Sequence, residues 1–575
     1  MDERKKLKKS PALYIVMIVV WILLGAWLWY ELIPGLISPP IVQGAQPSGA
    51  VSVIATILLV LNGIFITYFW LNGVKDFIYV IWYRIGKRKL IRRYSEVYAA
   101  DVSDVKDKVL MLYCTCNDFD GNSLLRSMQQ KYAYAETVIL DDSSEDMYKR
   151  EVDAFAEKYG VRVVRRADRK GFKAGNINHF LMSDEIKASD YKHAVILDSD
   201  EIIPPDFITG CLKYFAVYDN IGMVQANHVA TRNRNLFMKL FHIGVDSHWP
   251  TYQSMKHRYG FSSMLGHGAM IKRECYERAG GFPDLVAEDL CLSIEMRNNG
   301  YYIAFAPEIV CEEEYPVDYL AFKKRHSKWT QGNLEFIKKY TGKIIRSKMA
   351  WHEKLDIVLF TYNLPLTAIF AFYIFINISV MPALGIDIGR LYSVWMLIPT
   401  IVFFLSPMLN DVFAWLFRIN VFRFLAYNLC VIILYGSMLL TSLTSALLGM
   451  FGRKAKFIVT PKDQKHVSFK TALKAQYKEL IFSSVLIAVS VLFCRSVWPV
   501  FLIAATGILS FFLLFLSNRQ YSEERINEID AKTVSVTLRQ NKALALCAVR
   551  HDDAKNRRSE QYTAMQQAGT GRPSR

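Results

Sequence analysis

The sequence predicts an α/β domain built on a mostly parallel sheet, set between two helical regions that cross a membrane. Three observations predict it. Hydrophobic residues make up 52% of the 575-residue chain, yet they gather at the N-terminus and again from Trp351 onward. Between those regions, apolar runs of strand length alternate with amphipathic helical stretches, the rhythm of βαβ units. The net charge is +17, and the basic residues sit beside the apolar runs, as on the cytoplasmic flanks of membrane spans.

The first region, 1–84, holds two apolar runs, Pro11–Ile33 and Ala50–Leu71. Each can cross a hydrocarbon core of about 30 Å at about 1.5 Å per residue. Arg4, Lys5, Lys6, Lys8 and Lys9 precede the first run, and Arg84, Lys87, Arg88 and Lys89 follow the second; the loop between them has no Lys or Arg. Both outer flanks are therefore expected in the cytoplasm. The first run is longer than a signal-peptide core and lacks a small-residue cleavage site, so it is expected to remain as an anchor.

The second region, 85–345, carries the strand candidates Val109–Cys114, Thr137–Leu140, Val161–Val164, Ala194–Leu197 and Met223–Ala226. The third, 346–517, is apolar again, with runs at Leu355–Ile378, Leu391–Leu416, Phe422–Phe451, Glu479–Phe493 and Val497–Leu516. The polar tail, 518–575, has no sustained periodicity and reads as disordered or loosely helical.

Composition excludes some classes. No zinc-finger spacing, basic zipper or RNA-binding aromatic motif accompanies the positive charge, so nucleic acid is not an expected partner. The nine cysteines fall mostly in the middle region, where cytoplasmic thiols stay reduced. Cys114 and Cys116 lack two further ligands at metal-site spacing and read as buried structural residues.

In a parallel sheet, ligands bind at the carboxyl ends of the strands. Thr137–Leu140 is followed by Asp141-Asp142, and Ala194–Leu197 by Asp198-Ser199-Asp200. Two carboxylates so close are unfavourable unless a cation joins them, and Mg²⁺ or Mn²⁺ shared with diphosphate oxygens would do so. Between the two lies Lys170-Gly171-Phe172-Lys173-Ala174-Gly175-Asn176, glycines for close approach and lysines for phosphate; it lacks the ending of a Walker loop. Downstream come Gly266-His267-Gly268-Ala269, Ala287-Glu288-Asp289 and Arg325-His326-Ser327-Lys328-Trp329. A tryptophan beside cations is, taken alone, most often a membrane-interface anchor. His242, His248, His257 and His267 are not spaced as a metal pair on one helix; His248 and His267 are read as acceptor-site lining.

In that order, Asp-Asp, Lys-Ala-Gly-Asn, Asp-x-Asp, Glu-Asp and a cation-Trp motif resemble the processive family 2 glycosyltransferases, which include cellulose, chitin and hyaluronan synthases. Phe457-Ile458-Val459-Thr460-Pro461-Lys462 resembles the gating loop of cellulose synthases. The usual Gln-x-x-Arg-Trp is here Arg325-His326-Ser327-Lys328-Trp329. With Gly266-His267-Gly268-Ala269, this is more similar to the bacterial membrane glucosyltransferase that makes osmoregulated periplasmic β-glucans.

The resemblance implies a cytoplasmic GT-A (Rossmann-like, mixed-sheet) domain and a helical membrane domain of about six spans with interface helices. It implies nucleotide-sugar contacts from Thr115, Asn117, Asp118, Asp141, Asp142, Lys173, Asp198, Arg325, Lys328 and Trp329. Asp198 and Asp200 would hold Mg²⁺ or Mn²⁺. Asp289 would be the general base with Glu288 beside it. Gly266, His267, His248 and Trp329 would line the acceptor, and Phe457, Val459, Thr460 and Lys462 would form the gate within 453–463. The implied partners are a UDP-sugar donor, a growing glycan and the lipid bilayer of the cell membrane; a homo-oligomer or an accessory export subunit is compatible with it. No Arg-x-x-x-Arg switch stands in the tail, so cyclic-dinucleotide control is not expected.

A gate that reaches the nucleotide must lie on the catalytic side, so an even number of spans must separate it from the α/β domain. Phe422–Phe451, with Arg423 and Asn428 and a Ser/Thr-rich half, is the run expected to lie in the interface rather than cross. That leaves six spans with both ends inside.

Overall fold

The computed structural model describes residues 5–38, 49–390, 392–453 and 466–531. Seven strands form one sheet: β1 (Lys108–Thr115), β2 (Ala135–Asp141), β3 (Arg162–Val164), β4 (Tyr191–Asp198), β5 (Ile221–Thr231), β6 (Ala269–Lys272) and β7 (Tyr302–Glu314). Their spatial order is β3-β2-β1-β4-β6-β5-β7. Only β6 runs against its neighbours, which makes this the mixed, GT-A-like sheet expected. Alternate residues of the central strands feed opposite faces. Val109, Met111, Tyr113, Val195 and Leu197 enter one core, while Leu110, Leu112, Ala194 and Ile196 enter the other. Both faces are covered, so the strands read as nearly unbroken apolar runs. β5 is buried along its whole length although it carries Gln225, Asn227, His228 and Thr231.

The membrane region begins with helices Ala12–Ile37 and Gly49–Ala99. The second has 51 residues, roughly 75 Å of helix, so it continues well past the span at Ala50–Leu71 and reaches the α/β domain. Positions 84 and 85, where the first two regions were divided, lie inside it. The residues before the first span have specific partners. Leu7 N donates to Asn220 Oδ1 at 2.8 Å, and Lys9 Nζ donates to Gly260 O at 2.5 Å. Lys9 and its neighbour Glu353 are both buried, and Glu353 is also held by Arg297 at 2.8 Å.

Among the described residues, six helices are long and apolar enough to cross a membrane: Ala12–Ile37, Gly49–Ala99, Val394–Trp415, Val421–Met450, Phe469–Cys494 and Trp498–Asn518. Five of these correspond to expected spans. Phe422–Phe451 is among the six, although it breaks after Gly436 into Val421–Gly436 and Leu439–Met450. Leu355–Ile378 is covered by Trp351–Thr361 and Asn363–Phe375, which meet at Tyr362 just before Asn363-Leu364-Pro365, a proline in the first helical turn. Phe457, Val459, Thr460 and Lys462 lie outside the described residues. So does the tail beyond 531; its described part docks on the end of β5, where Asp530 Oδ2 accepts from Arg232 N at 2.6 Å. All eight cysteines among the described residues are free.

Candidate active site

The carboxyl ends of β1, β2 and β4 meet in one cleft, since β1 pairs in register with both neighbours and Thr115 faces Asp141. On the β1 side, Asn117 adopts a left-handed φ of 59°. Its Oδ1 accepts from Ser144 N at 2.8 Å and Glu145 N at 3.1 Å, which staples the β1 loop to the β2 loop. Asp118 accepts from Thr115 Oγ1, Cys116 N and Ser199 Oγ at 3.0, 2.7 and 2.6 Å. Thr115, Asn117 and Asp118 thus spend these polar groups on shaping the cleft wall.

Asp141 and Asp142 are neutralised by arginines rather than left for a metal. Arg165 Nε reaches Asp141 Oδ2 at 2.7 Å, and Arg166 holds both oxygens of Asp142 at 2.9 and 2.7 Å. The Asp142–Arg166 pair is buried, with side chains 7% and 5% exposed. Neither arginine was singled out in the sequence. Their signal was a basic pair directly after an edge strand, β3, next to β2.

Lys173 joins the two halves of the cleft. Its helix, Phe172–Leu181, starts at Gly171 with φ +72°, and a Cβ on Gly175 would stand 2.0 Å from Lys170 O. The loop can therefore fold back tightly only with glycine there. Lys173 Nζ bonds Asp198 Oδ1 and donates to Gly266 O at 2.8 Å. Burial opposes the charge on Lys173, but the Asp198 carboxylate outweighs it and holds the ammonium above its ordinary range. Gly266 (φ +95°) in turn faces the base candidate: a Cβ there would lie 3.8 Å from Asp289 Oδ2.

Glu288 and Asp289 open the helix Glu288–Asn298, a position favoured for acids by the helix dipole. Burial, then the neighbouring Asp289, pushes Glu288 up to about 8. Burial also raises Asp289 above the ordinary carboxylate range, against the pull of the Leu290 amide and Lys173. Lys328 feels both acids, yet burial still lowers it. Arg325, Lys328 and Trp329 share one face of the helix Tyr319–Arg346, as their spacing requires. Arg325 lies over the Trp329 ring at 4.7 Å and over Tyr315 at 5.1 Å, and Trp329 is half-exposed. The opposite face is tied to the membrane: His326 bonds Ser442 at 2.8 Å and Ser327 bonds Ser445 at 2.7 Å.

Asp198 and Asp200 form an all-oxygen donor pair, which suits a hard divalent cation. Asp198 is neutralised on one oxygen by Lys173, and Asp200 Oδ2 is fixed by Glu314 N at 3.3 Å. Arg232, also not foreseen, ties the Asp200 backbone to Asp120 and Ser123. His267 lies beside Asp198, with Nε2 3.9 Å from Oδ2. His248 does not join it. Its ring stacks on Tyr252, which stacks on Tyr79 of the second membrane helix, while Trp249 covers His228 at 4.4 Å.

A model of the glycosyl transferase family group 2 matches residues 193–517, more than half of the chain. Two Arabidopsis thaliana proteins named "Probable glucomannan 4-beta-mannosyltransferase", 10 and 15, are each 25% identical over 218 and 232 residues, 36% and 39% of this chain. The chain spans only 39% and 43% of the length of those relatives. Among solved structures, the mannosyltransferase PcManGT of Pyrobaculum calidifontis, in complex with GDP-Man and Mn2+, is 18% identical, with 66% of this chain and 99% of that one covered at a TM-score of 0.37. TarS 1–349 of S. aureus is 13% identical, with 62% and 98% covered at 0.32.

Proposed function

The chain belongs to the glycosyl transferase family group 2, and on that premise we propose that it is an inverting, processive polysaccharide synthase that extends a β-glucan from UDP-glucose at the cytoplasmic face of the cell membrane and passes the chain across. One observation carries the reading: Lys173 links Asp198 to the Gly266 loop, and that loop faces Asp289. Donor phosphates and acceptor hydroxyl would therefore meet within one wired cleft.

Inversion needs a base on the acceptor hydroxyl and charge stabilisation on the leaving nucleoside diphosphate. Asp289, raised by burial, takes the hydroxyl proton as the acceptor oxygen attacks the anomeric carbon and the sugar–phosphate bond breaks. Lys173, Arg325 and Lys328 face the negative charge left on the diphosphate. A divalent cation held by Asp198 and Asp200 would add to that neutralisation when bound. Trp329, half-exposed and backed by Arg325, offers a flat surface on which an acceptor sugar stacks. Because the same helix is hydrogen-bonded to Leu439–Met450, the acceptor site is continuous with the membrane region. Aromatic residues such as Tyr362, Phe370, Phe372 and Tyr373 are the candidates to line a path for the polymer.

The relatives' names favour a second donor, a mannosyl nucleotide giving a β-mannan. One assay separates these readings: nucleoside diphosphate release by detergent-purified protein with UDP-glucose, UDP-N-acetylglucosamine or GDP-mannose, with product length read on the same samples. Turnover of UDP-glucose with long chains supports the synthase. Turnover of GDP-mannose moves the donor, short products indicate transfer of single sugars, and silence with every donor overturns the transferase reading.

A further inference from the structure

The transfer chemistry leaves most of a cluster beneath the end of β4 unused, with only Asp198 shared. We propose that His228, His267, Glu313 and Asp198 form a second cation site, of the imidazole-rich kind that selects a transition metal such as zinc, with Glu201 as its supporting carboxylate.

The front of the site is defined by donor spacing. Glu313 Oε2 lies 3.4 Å from His228 Nδ1 and 3.3 Å from His267 Nε2, and His267 Nε2 lies 3.9 Å from Asp198 Oδ2. Ligands held at about 2.0–2.2 Å in a tetrahedron are separated by about 3.3–3.6 Å, so the first two edges already fit and the third needs only a small shift of a half-exposed carboxylate. Imidazole nitrogens favour zinc over magnesium or manganese.

The back of the site supplies independent support. An imidazole that binds metal through one nitrogen donates its other N–H to a carboxylate. Both rings turn their second nitrogen to the same buried acid: His228 Nε2 is 3.5 Å from Glu201 Oε1, and His267 Nδ1 is 3.1 Å from Glu201 Oε2. Glu201 Oε1, His228 Nε2 and His267 Nδ1 are all buried atoms with no hydrogen-bond partner. Glu201 and His228 are completely buried. Metal bound at His228 Nδ1 and His267 Nε2 would fix the tautomers that point N–H at Glu201 from both sides.

Charge points the same way. Asp198, Glu201 and Glu313 bring three negative charges to the two rings, and Lys173 offsets one of them. A divalent cation would displace the proton that these acids draw onto His267 and answer the same charge. Trp249, stacked on His228, covers one side. Gly268 N donates to Glu201 at 3.0 Å, so the metal would pin the Gly266-His267-Gly268 loop to the ends of β5 and β7. Asp200 is not among these ligands, so the site shares only Asp198 with the diphosphate cation.

The test reads metal, not transfer, so its failure is distinguishable from failure of the synthase reading. Full-length protein is purified in detergent without chelator, and its metals are measured by mass spectrometry. A Co²⁺ titration followed by visible absorption reports the ligand field. The proposal expects about one equivalent of zinc per chain, retained in Asp200→Asn. It expects the metal to be lost in Glu313→Gln and His267→Gln and bound about 10- to 100-fold more weakly in Glu201→Gln. Buried His228 is left unaltered so that misfolding does not confuse the result. Wild-type protein without metal after zinc loading overturns the site. So does metal kept by both Glu313→Gln and His267→Gln, or metal lost only in Asp200→Asn.

Discussion

Two strands of one sheet end in paired carboxylates, and the fold treats the two ends in opposite ways. At the end of β2, Asp141 and Asp142 each take an arginine from just after β3, and the Asp142–Arg166 pair is buried. At the end of β4, Asp198 is bonded by Lys173, which also holds Gly266 opposite Asp289. The first end is closed by its neighbours; the second is wired to residues that border a reaction. An acidic pair after a strand therefore does not announce a metal by itself. The strand next door decides.

The contrast can be broken most forcefully at Arg166. Its removal leaves Asp142 charged and buried, so Arg166→Ala should cost about 3–5 kcal/mol and lower the thermal midpoint of the detergent-solubilised protein markedly. A midpoint unchanged from wild type would mean that the β2 end is not a structural pair. At the β4 end the account expects the reverse. Lys173→Ala should lower kcat by about 10²–10³ while the thermal midpoint moves little, and a large drop in midpoint with normal kcat would erase the distinction.

A pH profile sharpens the same comparison. Glu288 is pushed up to about 8 by burial and by Asp289, and burial raises Asp289 too. A base must be unprotonated to act, so kcat/KM should fall as pH drops through a value above the ordinary 3.8 of an aspartate. Lys328→Ala, by deleting a cation that pulls the pair down, should move this acid limb to higher pH. A limb that does not move removes Lys328 from the site. The smallest effect belongs to Arg165, whose side chain is 34% exposed and whose buried partner Asp141 keeps the Ser143 amide as a donor. Arg165→Ala should cost about 1–3 kcal/mol, which a thermal melt can compare directly with Arg166→Ala.

Much of this was legible in the sequence, for physical reasons. Four of the strand candidates, β1, β2, β4 and β5, were readable because sheets covered on both faces leave unbroken apolar runs. β6 was missed because it has four residues, Ala269–Lys272, and β7 because its last half, Val310-Cys311-Glu312-Glu313-Glu314, looks like a solvated turn. Motif order located Lys173, Asp198, Asp200, Gly266 and Asp289, which the sheet brings into one cleft. It could not locate Arg166, Arg232, Glu201, His228 or Glu313, whose partners come from other strands and leave no local spacing.

The central claim is that Asp289, facing the Gly266 loop, is the base of sugar transfer. The most direct measurement is nucleoside diphosphate release by Asp289→Asn beside wild type, with donor affinity measured on the same preparations. The account predicts kcat lower by about 10²–10⁴ with donor binding retained. Full turnover by Asp289→Asn would contradict it.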